Sequence, residues 1–220
     1  MKKTLITLAI LSSVGAALAQ GTLQIGNTFG TGTTGFRAPI YGLNPANPAE
    51  SLSGNSAIGT PAGTTQYAGP LLQGTGFTFA LFAGPAGTAE GALQLVTTTT
   101  FRTATGNVLP AGLINTVTVP INGVPSGSPA AVQVRVWDNQ GGAISTWSQA
   151  IANPAAVASG KSGVFATLPL GGPDPGGGTP ITPPEMRGWQ SFNVSQVPEP
   201  SVIALGALGL GALLLRRRKS

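Results

Sequence analysis

At 220 residues the chain is long enough to bury one sizeable core. Its 33 Gly and 19 Pro exclude a helical bundle, and the lack of His and Cys excludes disulfide scaffolds, imidazole and thiolate metal sites, Cys nucleophiles and Ser-His-Asp triads. Charged residues are 8% against 41% hydrophobic, which excludes charge-driven disorder, whereas the net charge of +5 suggests nucleic acid only if the cations prove to be clustered on the working part of the chain.

Met1-Lys2-Lys3 is a short basic start, and Leu5 to Leu18 is apolar apart from Thr7, Ser12 and Ser13, closing on Ala17-Leu18-Ala19. The order basic, apolar, small is that of a secretory signal peptide over residues 1–19. The small side chains of Ala17 and Ala19 fit the shallow pockets of signal peptidase, so cleavage is expected after Ala19, leaving Gln20 as the first mature residue.

Residues 20–196 are expected to form the exported domain, and its main signal is period-two alternation. In chain order the strand candidates are Thr22–Ile25, the shorter Pro39–Tyr41, a segment with Phe77, Phe79 and Leu81 on one face, Ala92–Arg102, one with Val117, Val119 and Ile121 on one face, the half-buried Val132-Val134-Val136 run, Gly163–Leu168 and Arg187–Val194. Seven or eight strands separated by Gly, Pro and Asn turns predict an all-β, antiparallel β-sandwich of the immunoglobulin-like or jelly-roll-like kind. Two stretches predict long loops. Residues 42–76, dominated by Gly, Pro, Ser, Thr, Asn and Ala, read as a surface excursion or a poorly ordered segment, and residues 169–186, with their Gly-Pro run, as a flexible loop before a last strand.

Beyond that strand stands Val197-Pro198-Glu199-Pro200, then the uncharged stretch Ser201 to Leu215, then Arg216-Arg217-Arg218-Lys219. At ~1.5 Å per residue the uncharged stretch makes a transmembrane helix of roughly 22 Å, marginal against a ~30 Å hydrocarbon core. The four cations resist transfer, so an inner-membrane-anchored precursor with its C-terminus cytoplasmic and its domain outside is expected. The two prolines hold Glu199 in extended backbone and remove two amide donors, which suits presentation to a processing enzyme.

The three elements in this order resemble the PEP-CTERM sorting signal of Gram-negative bacteria, over about residues 197–220. The resemblance implies recognition by an exosortase, a membrane-embedded cysteine protease-like transpeptidase, with removal of the tail and release or attachment at the cell surface. Phe82-Ala83-Gly84-Pro85-Ala86-Gly87, Thr100-Phe101-Arg102-Thr103 and Val132-Gln133-Val134-Arg135-Val136-Trp137-Asp138 also resemble segments of PEP-CTERM proteins of Verrucomicrobia-type bacteria. That likeness brings no catalytic residues with it.

Six of the eleven cations lie in the two terminal segments. The exported part keeps Arg37, Arg102, Arg135, Lys161 and Arg187 against Glu50, Glu90, Asp138, Asp174 and Glu185, so it is neutral and offers nucleic acid no basic stripe. Its five acids supply little chemistry. Glu50 and Glu90 are the only pair to weigh as a glycosidase acid and nucleophile, and neither spacing nor motif brings them together. Asp138-Asn139 reads as a turn before a calcium site, and the Gly178-Thr179 run lacks a phosphate-loop lysine, so no metal or cofactor is expected. Trp137, Trp147 and Trp189, with Tyr41 and Tyr67, are the candidates for stacking on sugar rings, although Trp137, out of phase with the valine face, also suits packing beneath a loop.

The sequence therefore predicts a non-enzymatic, sorted protein of the cell surface or extracellular matrix with a structural or adhesive role, processed by signal peptidase and exosortase. The resemblance implies a link to exopolysaccharide and biofilm. A carbohydrate-binding module using exposed aromatics is the second reading and a glycan hydrolase the third.

Overall fold

The computed structural model describes residues 20–103 and 111–197. Ala17, Ala19, Pro198, Glu199, Pro200, the apolar stretch 201–215 and the cations 216–219 lie outside the described residues. Among the described residues the strands are β1 (Gln20–Ile25), β2 (Thr28–Phe29), β3 (Phe36–Arg37), β4 (Phe77–Pro85), β5 (Gln94–Thr100), β6 (Val117–Pro125), β7 (Ala130–Asp138), β8 (Ser159–Lys161) and β9 (Phe165–Ala166). Among the described residues there is one short α-helix, α1 (Trp147–Ala152), which starts on a capping box in which the Thr146 hydroxyl accepts from the Gln149 amide and the Gln149 side chain accepts from the Thr146 amide.

The chain is an all-β, sandwich-like protein, as its alternation predicts. One layer is the antiparallel pair β1-β6, with Leu23 opposite Val119. The other is β5-β4-β7-β8 with β9 also on β7, and β2-β3 form a small separate hairpin. Leu23 and Ile25 of β1 and Val119 and Ile121 of β6 meet Phe79 and Leu81 of β4 and Val132, Val134 and Val136 of β7 in one core. Side chains of this kind contribute ~1.5–3 kcal/mol each when fully withdrawn from water, which is what holds two layers of short strands together.

Three expectations are corrected. First, β7 is buried on both faces: Gln133, Arg135 and Trp137, the polar phase of the alternation, are as enclosed as the valines. The second face is covered by α1, the turn after β8 and the 3-10 turn at 90–92, a packing that no local pattern announces. Second, Arg187–Val194 forms no strand. Trp189, Phe192 and Val194 do enter the core, but the segment is fixed by isolated bridges, Asn193 to Tyr41, Phe192 to Ser53 and Ser195 to Ser159. Pro39–Tyr41 is likewise reduced to bridges at Tyr41, and Gly163–Leu168 to the two residues of β9.

Third, the two long loops are built into the domain. In 42–76 the Tyr41 hydroxyl is 2.6 Å from Ser56 Oγ, the Asn55 side chain donates to the Pro61 carbonyl and accepts from the Ser191 amide, and the Leu72 amide donates to the Ile40 carbonyl. In 169–186 the Gly171 and Thr22 amides exchange hydrogen bonds with each other's carbonyls at 2.9 Å, and the Met186 amide donates to Gln24. This loop covers the free edge of β1, a task that leaves no room for a side chain on Gly171. A Cβ there would lie 2.5 Å from Pro183 Cα.

Candidate functional site: the exit of the C-terminal segment

The last described residues leave the domain from a tied position. Ser195 and Ser159 exchange amide-to-carbonyl hydrogen bonds at 2.9 Å, the Gln196 amide donates to the Pro48 carbonyl at 2.8 Å, and the Val197 amide donates to the Pro154 carbonyl at 2.9 Å. The Gln196 side chain adds a bond to the Ala155 carbonyl. Val197 itself is 53% exposed. Ordered structure thus reaches Val197, and Pro198 follows at once, so no spacer intervenes between the fold and the Pro-Glu-Pro segment. Sequence reading gives Val197 the role of motif border, but the anchors at Pro48 and Pro154 lie about 150 and 40 residues away in the chain and carry no local signal.

Residues 196–219 match the PEP-CTERM protein-sorting motif. The motif marks an exported, cell-surface-directed protein that is a substrate for exosortase, in agreement with the resemblance drawn from residues 197–220. No curated protein and no solved structure matches the chain. Among the described residues no helix is long and apolar enough to cross a membrane, and the stretch 201–215 is not among them.

The aromatic candidates for sugar stacking differ in how far they are buried. Trp137 is 1% exposed, its indole N–H donating to the Ile144 carbonyl at 3.0 Å and its ring meeting Trp147 edge-on at 6.1 Å. Trp189 is 4% exposed, between Phe36, Phe165 and Phe192. Tyr41 is buried and stacked on Tyr67. Trp147 alone of the three tryptophans is half-buried. These rings are large enough to dominate the packing of a core with few other big side chains, and burial is what they gain most from. Trp189 still borders an open cleft of about 240 Å³ with Ser53, Val164, Phe165 and Gln190, and its buried indole N–H has no hydrogen-bond partner among the described residues.

Around Arg135 the structure assembles a group that sequence reading leaves scattered. The guanidinium lies 4.0 Å from the Phe82 ring centroid and 5.5 Å from that of Trp147, while Nε donates to Gln133 Oε1 at 2.8 Å and Nη2 to the Glu90 carbonyl at 3.0 Å. Desolvation lowers the Arg135 pKa, and the Glu90 carboxylate opposes that shift. Glu90 is held below the usual carboxylate range, first by its hydrogen bond from Lys161 Nζ at 2.5 Å.

The other carboxylates are also engaged locally. Glu50 accepts from Asn44 Nδ2, Asp138 from the Gln140 amide, Asp174 from the Gly176 and Gly178 amides, and Glu185 from Arg187. Glu50 and Glu90, weighed together as a glycosidase pair, are each bound to a different element: Glu50 to its own loop, Glu90 to β8. Among the described residues no three acids cluster as a metal cage.

Proposed function

We propose that the domain is a non-catalytic structural or adhesive unit, delivered by its PEP-CTERM tail to the cell surface or the surrounding exopolysaccharide and biofilm matrix. In this reading signal peptidase removes residues 1–19, the apolar stretch 201–215 holds the precursor in the inner membrane with the cations 216–219 inside, and exosortase removes the tail. The observation that carries the proposal is the employment of the carboxylates: all five in the domain serve an ion pair, a turn or a side-chain amide, in a domain that is neutral and a chain without His or Cys. A general acid and base need paired groups with divergent pKa values, and this surface offers them no obvious place.

The test is fractionation of cells producing the chain with and without Pro198-Glu199-Pro200. Loss of the motif should leave an unprocessed, membrane-bound precursor, and unchanged processing and location would overturn the sorting route. For the domain, cell-surface retention and aggregation of cells should rise with its expression. Hydrolysis of a matrix glycan that is lost in Glu50→Gln or Glu90→Gln would overturn the non-catalytic reading.

The cleft beside Trp189 favours carbohydrate binding as a second reading, through a ring seated against Phe165 and Val164. Saturable glycan binding, weakened by Val164→Asp and retained in Trp147→Ala, supports it; no saturable binding overturns it.

A further inference from the structure

The tail leaves the domain beside three segments that carry almost no charge. Residues 42–52, 146–158 and 190–197 hold one ionisable side chain, Glu50, and its carboxylate is occupied by Asn44 Nδ2 at 2.8 Å. The exit is flanked instead by exposed Pro48, Pro154, Ala152 and Ile151, the last 50% exposed, together with Val197 at 53%. Pro48 and Pro154 supply the very carbonyls that hold Gln196 and Val197, and Ile151 sits on α1 three residues before Pro154.

Chain length limits where this face can be. From Val197 to Ser201, where the apolar stretch begins, there are four Cα steps, which span at most about 14 Å even fully extended. With residues 201–215 in a bilayer, Val197 and its surroundings lie within the headgroup layer or just above it. Exposed apolar side chains interleaved only with uncharged ones, Asn47 and Asn153, suit the boundary between headgroups and acyl chains.

We propose that the face formed by Ile151, Ala152, Pro154, Pro48 and Val197 docks on the outer surface of the lipid bilayer in the precursor, seating the sandwich on the membrane with the Pro-Glu-Pro segment at the interface. Docking holds the processing segment at one depth and ends when the tail is removed. This inference rests on the reading of 201–215 as membrane-inserted.

The experiment uses the full chain, which has no cysteine of its own, so a single introduced one reports one position. Ile151→Cys, Ala152→Cys and, as the remote control, Thr179→Cys are labelled with an environment-sensitive fluorophore. Each is reconstituted into phosphatidylethanolamine–phosphatidylglycerol vesicles with or without brominated acyl chains. Thr179 is exposed in the 172–181 turn, which lies against Gly127 at the start of β7, whereas Ser159 and Ser195 lie at its end. Nine residues of strand put these two ends roughly 26 Å apart.

Flotation with the vesicles reports insertion of the tail separately from docking. The expected result is flotation of all three, with a blue shift and loss of fluorescence to the brominated lipid at 151 and 152 and neither at 179. Flotation with a water-like signal at 151 and 152 overturns the docking while the membrane reading stands, and leaves the face for a protein such as the processing enzyme. Quenching at all three positions means adsorption without orientation and overturns it too. Failure to float overturns the docking and the membrane reading together.

Discussion

Tyr41 and Tyr67 lie face to face, ring centroids 4.0 Å apart and planes within 7° of parallel. Tyr41 borders the core and Tyr67 belongs to the 42–76 loop, so this stack fastens the longest irregular stretch of the chain to the sandwich. The Tyr67 hydroxyl completes the fastening: it lies 2.6 Å from the Gly54 carbonyl and 2.8 Å from that of Ser191, donating between the loop and the C-terminal segment. Replacing the hydroxyl in Tyr67→Phe keeps the stack and strands two carbonyls. The expected loss is about 1–2 kcal/mol in urea unfolding, with Tyr67→Ala costing more because the stack goes as well. Equal stability of wild type and Tyr67→Phe would mean that water serves the carbonyls as well as the phenol does.

The same hydroxyl gives the fold an alkaline limit. Burial, and then the neighbouring Tyr41, raise the Tyr67 pKa well above the ordinary phenol value. The unfolded chain releases this proton near pH 10 while the folded chain keeps it, so above about pH 10 the folded state binds more protons and stability falls as pH rises. Below that the contribution is complete. Urea midpoints followed from neutral pH to about pH 11 should therefore drop more steeply for the wild type than for Tyr67→Phe. Parallel curves would assign the alkaline limit to other groups.

Arg135 offers a second place where one side chain joins distant parts. It links β7 to the Glu90 turn by hydrogen bond and fills the space between Phe82 and Trp147. Arg135→Ala should cost about 2–3 kcal/mol, since it removes a buried stem as well as two hydrogen bonds. Arg135→Lys should recover little of that, because an ammonium has no planar face for Phe82 and no fork for Gln133 and Glu90. Full recovery by lysine would reduce the role of Arg135 to charge.

Much of the architecture is readable from side-chain phase, and the misreadings share a cause. Leu23-Ile25 announces its inward face because β1 alternates half-exposed with buried positions, and Phe79-Leu81 because its large side chains fall on one phase, although the other face of β4 is covered too and Ala80 there is fully buried. The polar phase of β7 announces solvent and is wrong, since Gln133 and Arg135 are satisfied by partners that lie far along the chain, Ser162 and Glu90. Likewise the Gly-Pro composition of 169–186 describes a chain with few side chains to pack, but its order comes from backbone bonds to β1, for which composition gives no signal. Trp137 suits packing beneath a loop by its phase and is enclosed in that way, and Trp189 joins it inside because a chain with 6% aromatic residues has few other large rings to fill its core. The sorting segment is legible because its order of residue types is itself the signal, read by enzymes from sequence. Its anchorage to Pro48 and Pro154 depends on the finished fold.

The ordering of 169–186 can be tested at its tightest point. Gly171 faces Thr22 across a reciprocal pair of hydrogen bonds, and the backbone of Pro183 occupies the space where a side chain would go. Gly171→Val forces either the 171–183 contact or the pairing with β1 to open, and on the scale of overpacked sites should cost about 2–3 kcal/mol. The distinguishing readout is hydrogen exchange. The Thr22 amide, which donates to Gly171, should exchange much faster in the variant, whereas amides shared between β4 and β7 should keep their protection relative to global stability. Thr179→Ala, at the exposed tip of the same loop, should change neither quantity. Fast exchange at Thr22 already in the wild type would show that the loop leaves β1 bare in solution and return residues 169–186 to the flexible segment that their composition describes.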